Sequence, residues 1–183
     1  MASSSKIAFP SVVLALRLLV LAVLAGSIVL IVTKKVNVTF PSGDTFSFSF
    51  EDVYSYKYLL GIAVVGCAYT LLQIPLAGVT IAKRSKVIGG TTNVALFLIC
   101  ADVVFVLAFA TAAGAGFGLS YDVKRSMDED YNGLNARDRA ENSEYHSKMD
   151  SFLVRGYAAA ALVIVAAKSV AAVVLISVYA LVK

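Results

Sequence analysis

FPSVVLALRLLVLAVLAGSIVLIVT, residues 9–33, decides the fold of this chain, because it holds a single charge, Arg17, in a run longer than the ~20 residues that cross ~30 Å of hydrocarbon. It is too long for the apolar core of a signal peptide, carries a charge within it, and lacks a small-residue cleavage site before polar sequence, so it reads as a retained helix. Three further stretches have spanning length: residues 58–82, 93–119 and 155–182. With 59% hydrophobic residues, 15% charged residues and a mean hydropathy of +0.81 over 183 residues, the chain is an integral membrane protein. The remainder is too short for a soluble domain. The expected architecture is an all-α transmembrane four-helix bundle forming one domain, 1–183, with outer loops at 34–57 and 120–154 and an inner loop at 83–92.

The net charge of +4 and pI near 9.1 do not indicate nucleic acid, since the basic residues are scattered among short loops rather than gathered on one face. Lys83, Arg84 and Lys86 make the densest basic cluster, which places that loop and both termini in the cytosol beside anionic lipid. Residue 2 is Ala and no terminal Cys box is present, so lipid anchoring is not indicated. Cys67 and Cys100 both fall within spans, at depths ~12 Å apart, beyond the reach of a disulfide; both are expected to be packing residues.

The first outer loop alternates Val36, Val38 and Phe40 with Asn37 and Thr39, turns at Pro41-Ser42-Gly43-Asp44, and alternates Phe46, Phe48 and Phe50 with Ser47 and Ser49. This is the pattern of a small extracellular β-hairpin. Its aromatic face, Phe46, Phe48 and Phe50, must rest on lipid headgroups, on the second outer loop or on a partner; packing inside the same molecule is the preferred reading, since an isolated hairpin is marginal in water, and an outer partner surface is the functional alternative. Asn37-Val38-Thr39 matches a glycosylation sequon, but so close to the first span that occupancy is not expected. Tyr54, Tyr56 and Tyr58 read as an interfacial belt. Residues 120–152 read as a polar loop without a core, in which Tyr145, Met149 and Phe152 form at most a short amphipathic turn and His146, the only histidine, is solvated.

Depth arithmetic singles out one layer of the membrane. At 1.5 Å per residue, Arg17, Gln73 and Asp102 lie ~12 to 14 Å from the inner ends of their spans. A lone charge near a helix centre costs about 2.5–3.5 kcal/mol on insertion scales, so pairing is the economical reading: Arg17 forks to the Asp102 carboxylate and Gln73 satisfies what remains. Lys168 comes out ~7 Å further outward, with a stem long enough to reach inward or to snorkel. These four residues read as a structural clasp. An ion or proton path, the signature of a transporter or channel component, would need polar groups at several depths, and the outer halves of the spans offer few.

Small residues recur at four-residue spacing in the third span, Ala108, Ala112 and Gly116 on one row and Ala110, Gly114 and Gly118 on another. One row suits packing within the bundle, and the second leaves a face for lateral association, with Gly156, Ala160, Ala167 and Ala171 of the fourth span as a possible counterpart.

Taken together, Leu16-Arg17-Leu18, Asp102 with Ala112-Ala113 behind it, Phe50-Glu51-Asp52-Val53-Tyr54-Ser55-Tyr56-Lys57-Tyr58 and Arg155-Gly156-Tyr157-Ala158 resemble the plant Casparian strip membrane domain protein-like (CASP-like) family, four-helix relatives of the MARVEL proteins. The resemblance implies a plasma-membrane protein with cytosolic termini that self-associates, scaffolds a membrane domain and recruits wall-modifying enzymes. Two features depart from it: residues 120–154 lack the cysteine pair of many members, and the Phe-rich hairpin replaces the first-loop signature of the strip-forming proteins. Strip assembly itself is therefore not implied. No Ser/His/Asp set, phosphate loop or metal-ligand cluster is visible, so the chain reads as non-enzymatic and without cofactor or small-molecule substrate. Its expected partners are the bilayer and either a homo-oligomer or a heteromeric membrane complex.

Overall fold

The structure, a computed structural model, describes residues 5–33, 35–39, 45–82 and 92–182. Four helices account for most of them: α1 (Ser5–Val32), α2 (Tyr54–Ala82), α3 (Thr92–Gly133) and α4 (Ala136–Val182). All four are long and apolar enough to cross a membrane. Their apolar residues run around the whole circumference rather than along one stripe, as expected where one side meets neighbouring helices and the other meets lipid. The cluster Lys83, Arg84 and Lys86 lies outside the described residues.

The helices form a ring in which α1 packs on α2 and α4, and α3 packs on α4 and α2, leaving α1 facing α3 and α2 facing α4 across the diagonals. Small residues permit the close approaches. A Cβ built on Gly66 of α2 would lie 2.6 Å from Cζ of Phe109 on α3 and 3.1 Å from Leu24 on α1. One on Gly156 of α4 would lie 2.8 Å from the phenol carbon of Tyr56. Between α1 and α4, the buried Ser27 hydroxyl donates to the Ala159 carbonyl at 3.0 Å, which satisfies a polar group in the core.

Strands β1 (Lys35–Thr39) and β2 (Thr45–Ser49) make the expected antiparallel hairpin, with Val36 opposite Phe48 and Val38 opposite Phe46. Its aromatic side turns inward. Phe48 meets Phe152 of α4 edge-on at 5.4 Å, Phe152 meets Tyr56 of α2 at 5.6 Å, and Phe50 also packs on the core. Phe48 and Phe50 therefore do not supply a free outer surface, and the Phe46 side chain lies outside the described residues. Lys148 fastens the hairpin to α4 by donating to the Asn37 carbonyl at 3.0 Å.

Residues 120–152 are helical except at 134–135, not an irregular loop. At 42 and 47 residues, α3 and α4 are about 63 and 70 Å long, roughly twice the hydrocarbon thickness, and continue as a paired helical hairpin beyond it. Met149, Phe152 and Leu153 are buried along this pairing, and Lys124 forms an ion pair with Asp150. His146 is likewise engaged rather than solvated, bonding Asp128 at 2.9 Å and stacking on Tyr131 with centroids 4.2 Å apart. The reversal is made by Asn135, whose side-chain oxygen accepts from the backbone N–H of Arg137 and Asp138 at 3.1 and 3.0 Å and caps α4.

Two readings of single residues change with the packing. Tyr56 is a core residue at 2% exposure, bonded to Ser120 at 2.7 Å, whereas Tyr54 points outward and Tyr58 bonds Thr111 at 3.0 Å. Helical rotation separates three tyrosines that a linear reading groups in one belt. Cys67 packs against the core, but Cys100 is exposed on the outer face of α3.

Candidate functional site

The polar layer spans the α1–α3 diagonal. These helices do not approach backbone to backbone, and the gap is bridged by a long side chain and a short one: Arg17 Nη2 donates to Asp102 Oδ2 at 2.5 Å. Both side chains are closed off, at 4% and 3% exposure. Along α1 the apolar turns carrying Val20 and Leu24 continue the face on which Arg17 lies, so helix register aims the guanidinium at the bundle centre.

The carboxylate's other oxygen is taken by α2, through a residue that depth arithmetic passed over. The Tyr69 hydroxyl donates to Asp102 Oδ1 at 2.7 Å. Its ring lies 5.8 Å from the Arg17 guanidinium carbon, within cation–π range, and stacks on Phe105 of α3 at 4.1 Å and 18°. Phe105 in turn leans on Phe109 at 5.8 Å, so the ring that holds the proton donor is itself held. The signal was present in the sequence as Tyr69 and Gln73, i and i+4 on one face of α2.

The pair is therefore not forked. Arg17 gives one nitrogen to the carboxylate, and its Nη1 is buried without a partner among the described residues. Gln73 is buried at 7% exposure, but its Nε2 likewise has no hydrogen-bond partner among the described residues, and Tyr69 occupies the role expected of Gln73. Both oxygens of the Asp102 carboxylate are engaged, and the side chain has no open face.

Lys168 stands apart from this layer. It is exposed on α4 and lines a groove of about 370 Å³ between α3 and α4, together with Val106, Ala110, Gly114, Ile164 and Ala171. No hydrogen bond or ion pair joins it to Asp102 among the described residues. The cause is azimuth: Ala167 and Val170 of α4 turn into the core, and Lys168 turns away between them.

The two small-residue rows of α3 separate in the same way. Ala112 and Gly116 are buried, Gly116 with its Cβ position 3.2 Å from Leu59 and 3.3 Å from Ala160, and Ala108 beside them is partly covered. Ala110, Gly114 and Gly118 are exposed, and a Cβ on Gly114 or Gly118 would meet nothing within 4 Å. On α4 the suggested counterpart is mostly consumed in the bundle, since Gly156, Ala160 and Ala167 are buried; Ala167 and Ala171 border the groove.

Four apolar helices closed around a charged clasp, with a two-stranded cap, define a multi-pass membrane protein. Comparison with known proteins specifies which kind. The Casparian strip membrane protein domain matches residues 6–167, so the chain belongs to that family of plant CASP-like proteins. It is 43% identical to CASP-like protein 4D1 of Sorghum bicolor over 98% of this chain and 95% of that protein. It is 32% identical to CASP-like protein 4D2 of Arabidopsis thaliana over 95% of this chain and 94% of that protein. No solved structure matches.

Proposed function

We propose that the chain is a non-enzymatic plasma-membrane scaffold or companion subunit, with both termini in the cytosol. It associates laterally with itself or with other membrane proteins and recruits cell-wall-related proteins. The observation that carries this reading is the division of the small-residue rows: one is used inside the bundle, and the other, Ala110, Gly114 and Gly118, lies open on the surface. In hydrocarbon, where burial of apolar area gives no drive between helices, such a row lets a second backbone approach closely enough for dispersion contacts to accumulate. The closed state of the Arg17–Asp102–Tyr69 layer supports a structural clasp rather than a conduction path.

Gly114→Leu combined with Gly118→Leu adds bulk at exposed positions where a Cβ meets nothing within 4 Å in the monomer. The expected result is a folded protein whose clusters disperse, read by single-molecule tracking in plant cells and by native size in mild detergent. A wild-type protein that diffuses freely as a monomer, with no co-purifying membrane partner, removes the reading.

A further inference from the structure

We infer that the α3–α4 groove around Lys168 is the docking site for a transmembrane helix of a different protein, one that carries a carboxylate near the middle of its span. The inference rests on the lateral-association reading and names the chemistry of the partner.

Lys168 lies ~20 Å along α4 from Arg155 and ~21 Å from Val182, at the middle of the apolar segment 155–182. Its four-carbon stem extends about 6 Å, well short of either end of that segment, so the expectation that Lys168 snorkels does not hold. In hydrocarbon an exposed ammonium at this depth would have no water to solvate it, and among the described residues Lys168 has no ion-pair partner. The walls around it are shaped for close approach, with Ala110 and Gly114 on α3 and Ala171 on α4. A helix laid in this groove would place its backbone against the small residues and a side chain at the height of Lys168.

A second copy of this chain fits the groove poorly. Its acidic residues are Asp44, Glu51, Asp52, Asp102, Asp122, Asp128, Glu129, Asp130, Asp138, Glu141, Glu144 and Asp150, of which Asp102 alone falls within a span. Both of its oxygens are already engaged, by Arg17 and Tyr69. Two copies joined here would bring Lys168 to Lys168. Charge complementarity therefore selects a foreign helix with its own Asp or Glu.

The test uses the full chain in phosphatidylcholine vesicles and three synthetic single-span Leu/Ala helices bearing Asp, Lys or Leu at the central position, with binding read by fluorescence energy transfer. The wild type is expected to take the Asp helix at least tenfold more tightly than the Leu helix. Lys168→Met should erase that difference, and Lys168→Asp should transfer the preference to the Lys helix. Gly114→Leu should weaken every pairing. Equal binding of the Asp and Leu helices by wild type overturns the proposal, as does a preference that survives Lys168→Met. Self-association measured in the same vesicles separates the two levels. A wild type that self-associates but ignores probe charge sinks only the Lys168 assignment, whereas one that neither self-associates nor binds any probe sinks the lateral reading itself. Loss of self-association on Lys168→Met, with equal probe binding, would give the groove to a second copy and overturn the foreign-helix assignment.

Discussion

Tyr69 and Gln73 sit one turn apart on the same face of α2, yet Tyr69 donates to Asp102 at 2.7 Å while the buried Gln73 amide nitrogen has no partner among the described residues. The two residues should therefore respond in opposite ways to loss of their polar atoms. Tyr69→Phe removes a charge-assisted hydrogen bond and is expected to lower stability by about 0.5–2 kcal/mol. Gln73→Leu removes an unsatisfied donor and should be neutral or stabilising. Thermal unfolding of the purified protein in nanodiscs distinguishes them, and an equal loss in both would mean that Gln73 contributes a bond after all.

Breaking the clasp from either side strands a charge. Arg17→Ala or Asp102→Ala should each cost about 3–5 kcal/mol and reduce accumulation in the membrane. Arg17→Met together with Asp102→Leu should recover part of that loss. The measurement is steady-state abundance alongside unfolding temperature. Normal abundance of both single variants with loss of an ion flux would favour a conduction path.

Glycines are not equivalent here. Gly66→Ala drives a methyl into the ring of the buried Phe109, and Gly156→Ala drives one into Tyr56, which is bonded to Ser120. Each is expected to destabilise by about 1–3 kcal/mol through overpacking. Gly118→Ala meets open space and should be neutral or stabilising by up to about 1 kcal/mol, since alanine is the better helix former. Comparing the three unfolding temperatures checks the helix interfaces directly.

Cysteines placed at Ser85, in the basic loop, and Ser143, exposed on α4 beyond its apolar segment, should label oppositely with an impermeant reagent on intact cells. Ser143→Cys is expected to react and Ser85→Cys to stay protected. Reaction at Ser85→Cys would invert the topology.

What the sequence discloses of this site is depth rather than direction. Rise per residue is constant, so Arg17 and Asp102 can be placed level by counting, and they meet. Counting says nothing about the angle around each helix axis. That is why Lys168, at a plausible height, faces the groove instead, and why Tyr69 rather than Gln73 reaches the carboxylate. The four spans and the hairpin were legible because continuous hydropathy and strict alternation are strong periodic signals.

Residues 120–152 were harder to read because a helical pair in water is held partly by charges and aromatic tips that resemble loop composition. Lys124 with Asp150 and His146 with Asp128 and Tyr131 are of this kind. The punctuation was nevertheless written in the chain. Gly133 closes α3 and Asn135 opens α4, with Asp138 at the third helical position.

The unbroken run of α3 and α4 through the end of the apolar segments also has a mechanical meaning. Residues 120–133 form an arm about 21 Å long, and nothing in either helix interrupts its continuity with the segments that wall the Lys168 groove. A sideways displacement of a few ångströms at the 134–135 tip would therefore tilt a straight arm of this length by roughly ten degrees, at the end continuous with the walls of the groove.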